Sequence, residues 1–327
     1  MSSLAGTPTT TGSEATGSTG SRGTTGSGQL PQLLKGMWWL AWRQHRAVFW
    51  TVLGACALAV AFIVFQRSQL HVSGYASVST GLRLMPILLG VLLGAPLFAG
   101  DLENGTAKLV VTQSVDRTRW LTTKLALTAL VVVVSTVALS AAFGWWWNLY
   151  KSEVTAYEWT SESTFNNTGP VPVALALFCV FGGVAIGVVL RRTLIAMVVT
   201  LGFTVLVQLV WSHFLLSLGN VVTATTSNGV MTEAAIQALP TGAYQMDGQP
   251  PYLTGDGKLL GWGTCADAQT AQAQEACLRK ADVVGWSVDY LPISQMNGMQ
   301  WLGASILLAL TAAVTVFLFF WGRKRLT

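Results

Sequence analysis

The chain has 327 residues, 52% of them hydrophobic and 10% charged, with a formal net charge of +5 and a mean hydropathy of +0.52. Soluble domains carry roughly a quarter charged residues, so this composition excludes an ordinary water-soluble globule and points to lipid as the solvent. A bilayer core about 30 Å thick needs roughly 20 apolar residues in a helix. Six stretches approach or meet that length, at 47–65, 84–99, 125–147, 171–190, 195–216 and 301–321.

Residues 1–28 are almost entirely Ser, Thr, Gly and Ala. With no apolar run to bury they cannot offset their ordering entropy, and they are expected to form a disordered cytoplasmic tail. They lack the basic start and apolar core of a secretory signal, so the first span is expected to stay in the mature protein. Residues 30–50 mix Leu and Trp with Lys35, Arg43 and Arg46. That composition suits an interfacial amphipathic helix on the inner leaflet, the alternative being the start of the first span. The interfacial reading keeps the three cations out of hydrocarbon.

The second stretch is short and holds Pro86 and Pro96. This predicts a kink, or an earlier start with Arg83 at its outer edge. All six runs are continuously apolar, whereas a barrel strand alternates lipid-facing and lumen-facing residues over about ten positions, so helices are predicted throughout. Gly90 with Gly94 and Gly183 with Gly187 make two Gly-x-x-x-Gly pairs. They let helices approach closely, with packing inside one subunit favoured over a dimer seam.

Between the fifth and sixth spans, 217–300 is too long for a simple connector and is expected to be a small extracytoplasmic region. It holds Cys265 and Cys277. On the oxidising side of a membrane the pair reads as a disulfide, with two free thiols as the alternative. Cys56 and Cys179 fall inside spans as ordinary small apolar residues.

Placing the N-terminus in the cytoplasm and alternating sides puts thirteen of the nineteen Lys and Arg residues on the cytoplasmic side. That bias sets an N-in/C-in orientation. The positive charge then matches anionic lipid headgroups, and no nucleic-acid partner is expected. Trp38, Trp39, Trp42, Trp120, Trp145, Trp146, Trp147, Trp301 and Trp321 sit near predicted span ends and read as interfacial anchors. The expected fold is an all-α integral membrane protein of six transmembrane helices, with an N-terminal interfacial helix and a long outer loop between helices five and six.

No Gly-x-x-x-x-Gly-Lys-Ser/Thr loop occurs, and the nearest Gly257-Lys258 is followed by Leu259, so ATP binding by that route is excluded. Ion-coupled transporters place Asp, Glu, Lys or Arg within their helices, and the six stretches lack all four. His213, near the outer end of the fifth, reads as a polar interfacial tip sooner than as a proton relay. His45, His71 and His213 have no metal-ligand spacing, and there is no Gly-x-Ser-x-Gly elbow. No catalytic residue, metal or cofactor is therefore expected, and the energy for transport would come from another subunit.

The segment 101–124, DLENGTAKLVVTQSVDRTRWLTTK, is dense in polar residues. Thr106 after Gly105 suits a helix N-cap, with Leu109 and Val110 among the apolar positions. A second break falls at Gln113 and Ser114. Asp116 can cap the third span, where Arg117, Arg119 and Lys124 are expected at the headgroups. Two readings stand level on these grounds: a short amphipathic helix suited to a partner's groove, and an ordinary loop with positive-inside residues.

This loop resembles the signature of ABC-2 type permeases. In that signature two acidic residues precede Gly-Thr, then Leu, then Gln-Ser-Val, Arg-x-Arg-Trp and Lys. Asp101, Glu103, Gly105, Thr106, Leu109, Gln113, Ser114, Val115, Arg117, Arg119, Trp120 and Lys124 match in order. Trp42 to Arg46 before the first span, and Leu291, Pro292, Gln300 and Trp301 before the last, are similar too. The departures are Gly100 where a basic residue is frequent, Asp101 in place of Glu, and the long tail.

The resemblance implies a permease domain over 29–327, including the 217–300 outer region, in the plasma membrane. It implies a homodimer or heterodimer bound in trans to an ABC ATP-binding protein through this loop, and export as the direction. The residues alone leave open an ion-coupled secondary transporter and a non-transporting scaffold or sensor.

Overall fold

The computed structural model describes residues 30–68, 72–104, 117–150, 159–226, 239–240, 242–246 and 248–325. The tail expected at 1–28 and loop residues 105–116 lie outside them. Among the described residues six helices are long and apolar enough to cross a membrane: His45–Ser68, Gly74–Glu103, Thr118–Leu149, Val171–Leu190, Thr193–Phe214 and Ile293–Trp321, here spans one to six.

Span one belongs to α1 (Leu30–Ser68), which has no break before the span. The stretch expected to lie along the interface is therefore continuous with the span. Extending a helix costs less than stopping and nucleating another, and residues 32–50 contain no proline to force a stop.

Span two starts well before its apolar stretch and is divided into α2 (Val72–Arg83), α3 (Met85–Leu89), a π-helical turn Gly90–Gly94 and α4 (Pro96–Glu103). Pro86 occupies the first turn of α3, where a missing N–H is harmless. Pro96 has no N–H to offer the carbonyl four residues back, and its ring crowds that carbonyl. The ladder widens ahead of it, so that the Ala95 N–H donates to Gly90 O, five residues back, at 3.0 Å.

The widened turn rests on span four. A Cβ on Gly94 would stand 2.5 Å from Val180 O, one on Gly183 2.7 Å from Gly90 O, and one on Gly187 2.4 Å from Ala95 O. The two Gly-x-x-x-Gly pairs thus meet each other inside the subunit, backbone against backbone.

Span three belongs to α5 (Arg117–Tyr150), span four is α7 (Val171–Leu190), span five is α8 (Thr193–Phe214), and span six continues into α10 (Met296–Arg325). Span four is the most buried and packs against spans two, three, five and six, while span one packs on span three. At the end where span two finishes, Phe49, Phe98, Leu121, Leu125, Val188 and Leu318 share one core. At the opposite end, Trp159, Phe165, Val171, Trp211 and Met299 form another. Trp146, read as an interfacial anchor, is instead 0% exposed. It packs edge-on to Tyr75 and Phe143 at 5.6 and 6.4 Å, because it lies on the face of α5 that turns toward spans one and two.

Residues 159–170, between spans three and four, seal the second end. Ser161 caps α6 (Glu162–Phe165), its Oγ accepting from the Thr164 N–H at 3.3 Å. Around it, Asn167 Nδ2 donates to Ser79 O at 2.8 Å, and Ser140 Oγ donates to Gly169 O at 3.1 Å. Trp211 Nε1 donates to Asn166 Oδ1 at 2.6 Å, and Gln300 Nε2 donates to Thr168 O at 3.1 Å. Spans two, three, five and six each contribute to satisfying this buried polar turn, and a buried turn left unsatisfied would cost about 1–3 kcal/mol per group.

Beyond span five the chain departs from the all-α expectation. β1 (Val222–Thr226), β2 (Tyr244–Gln245), β3 (Tyr252–Thr254), β4 (Leu259–Leu260) and β5 (Val283–Leu291) form an antiparallel sheet ordered β1-β5-β3-β4, with β2 also on β5. β5 is rich in Val and aromatics and buries Trp286 and Val288 against Tyr252, Leu278 and Val283. Between β4 and β5, α9 (Ala271–Lys280) is joined to the preceding turn by a disulfide between Cys277 and Cys265.

Candidate functional site

The loop resembling the permease signature leaves from α4 and returns in α5. Phe98 and Asp101 are three residues apart on α4, and Trp120 and Lys124 four apart on α5, so each pair shares one helix face. The two faces meet. The Lys124 ammonium forms an ion pair with the Asp101 carboxylate; its side chain is 1% exposed and that of Asp101 12%. The ammonium also sits 4.7 Å from the Trp120 ring and 5.6 Å from that of Phe98, and the two rings meet edge to face at 5.3 Å.

Lys124 was expected at the headgroups and Asp101 outside the apolar stretch. Both lie within the helices of their spans, as do Glu103, Arg119 and Arg83, so the spans are not free of charge. Burial of Lys124 is tolerated because its charge is neutralised by Asp101 and faced by two aromatic rings.

Glu103 turns the other way. Its Oε2 accepts from the Thr193 N–H at 2.9 Å, one of the free amides at the start of α8, where a carboxylate also complements the helix dipole. Arg191 closes α7 in the left-handed conformation, with φ 57° and its N–H donating to Gly187 O at 3.0 Å, so span five begins almost at once. The end of span two is thereby fastened to span three through Asp101 and to span five through Glu103.

Near this junction, Arg119 Nη2 and His45 Nε2 are buried and have no hydrogen-bond partner among the described residues. His45 lies within electrostatic range of both Lys124 and Asp101, and its ring is 6.0 Å from Phe49. Of the predicted loop residues, Asp101, Trp120 and Lys124 come together, Glu103 and Arg119 flank them, and Arg117 opens α5. Gly105, Thr106, Leu109, Gln113 and Ser114 lie outside the described residues. Sequence reasoning did not single out Phe98 and Thr193. Among the described residues no cluster of three metal-ligating side chains occurs.

Six apolar helices among the described residues, with span four buried at their centre, define a multi-pass membrane protein. Residues 39–215 match the family model described as ABC-2 membrane transporter related, which covers spans one to five and the whole 101–124 loop. The chain belongs to that family, whose members are permease subunits of ABC transporters and not themselves catalytic. No curated protein matches the chain. No solved structure matches it either.

Proposed function

We propose that the chain is the membrane subunit of an exporter driven by a separate ABC ATP-binding protein, docked in trans on the 101–124 loop. The loop, the 1–28 tail and the C-terminus face the cytoplasm of a plasma-membrane permease. The 217–300 region, with its sheet and the Cys265–Cys277 pair, lies outside. Thirteen of nineteen Lys and Arg residues on the loop side support this orientation. The permease domain spans 29–327 and works as a homodimer or heterodimer.

The observation that carries the reading is the buried Asp101–Lys124 pair at the loop's base. A loop clamped at its base to spans two and three, and through Glu103 to span five, transmits displacement to the bundle instead of absorbing it. ATP binding and hydrolysis on the partner would move the loop and so bias the bundle between inward-facing and outward-facing states. The polar seal at 159–170 supports a resting state closed on the outer side.

Affinity purification of the chain from its native membrane in mild detergent, with mass spectrometry of whatever accompanies it, tests the reading. An accompanying ATPase with a phosphate-binding loop is the expected result. Transport by the purified chain alone would instead favour ion coupling, and a partner without ATPase activity would favour a scaffold.

A further inference from the structure

Spans three and six both pack on span four and leave a groove between them. Its apolar part has a volume of about 810 Å³, with Val137, Ala141, Val173 and Leu308 among its walls. A second hollow of about 390 Å³ shares Gly144, Asn148, Gly169 and Asn297 with it and adds Thr168, Ser294 and Gln300. Both are of the size that holds small ligands.

The groove changes character along its length. From Val137 to Asn148 on span three, and from Leu308 back to Asn297 on span six, is eleven residues, or about 17 Å at 1.5 Å rise per residue. One leaflet of a bilayer core is about 15 Å deep. The inner stretch is apolar apart from Ser140, and the polar side chains gather where both helices approach the sealed end. Among the described residues neither Asn148 nor Asn297 makes a side-chain hydrogen bond, and both are exposed. Trp145 and Trp301, 52% and 58% exposed, line the apolar part. Among the described residues no Asp, Glu, Lys, Arg or His lines either hollow.

We propose that this groove is a binding site for an amphiphile from the leaflet at the sheet end, with one apolar chain along Val137 to Gly144 and an uncharged head that hydrogen bonds to Asn148 and Asn297. The lining selects the head: among the described residues an anionic phosphate finds no cation here, whereas a hydroxyl or amide finds two carboxamides that have no hydrogen-bond partner among those residues. The site rests on the membrane-subunit reading and adds to it a ligand class and a place.

Gly144 offers a clean way to block it, because a Cβ there meets nothing within 4 Å. The full chain is placed in phosphatidylcholine nanodiscs with a trace of a monoacylglycerol carrying a photoreactive tail, or of the matching phosphatidate, and labelled residues are mapped by mass spectrometry. Label from the neutral probe is expected within 137–148 and 297–308, above that on the exposed face of span five. Gly144→Phe should remove it. Replacing Asn148 and Asn297 by Leu should lower the preference for the neutral over the anionic probe by about fivefold per lost hydrogen bond. Label no denser in the groove than on span five would overturn the proposal in favour of ordinary surrounding lipid. Cross-links between two copies through an unlabelled groove would overturn it in favour of a dimer seam. Absence of label from every span would overturn the membrane reading as well, so the two failures are distinguishable.

Discussion

Lys124 and Asp101, 23 residues apart in sequence, form a buried ion pair that ties the end of span two to the start of span three. Removing one partner leaves the other charge buried and unpaired, which costs about 3–5 kcal/mol, whereas replacing both by apolar residues of similar volume is often neutral. Lys124→Met is therefore expected to lower the unfolding temperature in detergent markedly, and Asp101→Leu combined with Lys124→Met to recover most of the loss. Additive losses in the double variant would show that the two do not act as a pair.

The crossing of spans two and four should tolerate no side chain at its centre. Gly94→Ala would place a Cβ 2.5 Å from Val180 O, against backbone that cannot swing aside, and should destabilise by about 1–3 kcal/mol. Gly54→Ala, whose Cβ meets nothing within 4 Å, should be neutral or stabilising by about 0.5–1 kcal/mol through its helix preference. Thermal unfolding of the two variants side by side measures the difference.

Cys265 and Cys277 close a short loop, with a sequence separation of 12, and such a bridge contributes about 3 kcal/mol in the chain-entropy model. Replacing both by Ser should speed proteolysis and amide exchange in α9 while leaving the spans unchanged. Thiol labelling without reductant should find neither residue reactive.

At the β3–β4 turn, the Lys258 ammonium and then the Thr254 hydroxyl hold the Asp256 carboxyl below its usual range. A depressed carboxyl contributes stability that is present above its unfolded value of 3.8 and is lost as pH falls through the lower folded value. Protection of the Lys258 amide, whose N–H donates to Thr254 Oγ1 at 3.0 Å, measured as exchange relative to the intrinsic rate at each pH, should therefore fall only below about pH 3.8. Asp256→Asn should abolish that acid dependence.

The spans are legible from composition because lipid demands long apolar helices, and each candidate span in the structure overlaps one of the six apolar stretches. Pro96 signalled irregularity in span two, but not that it would take the form of a π-helical turn. That depends on how the ladder relaxes against Val180, a contact far away in sequence. The burial of Lys124 was hidden for a similar reason. Lysine near a span end normally reaches for headgroups, and only the packing of α4 on α5 delivers Asp101 and the Phe98 and Trp120 rings to it. Glu103 and Thr193 are 90 residues apart, beyond any local pattern. The sheet was missed because its strands, apart from β5, are two to five residues long and give little alternation to read.

The central claim is that the clamped loop couples this permease to a separate ATPase. Its most direct test is the ATP hydrolysis of the co-purified partner, reconstituted with the wild-type chain and with Arg119→Glu, which places an acid beside the Asp101–Lys124 junction. The account predicts that the variant inserts normally, yet loses both the partner and the hydrolysis that depends on the chain. Equal binding and equal hydrolysis with the two chains would contradict it.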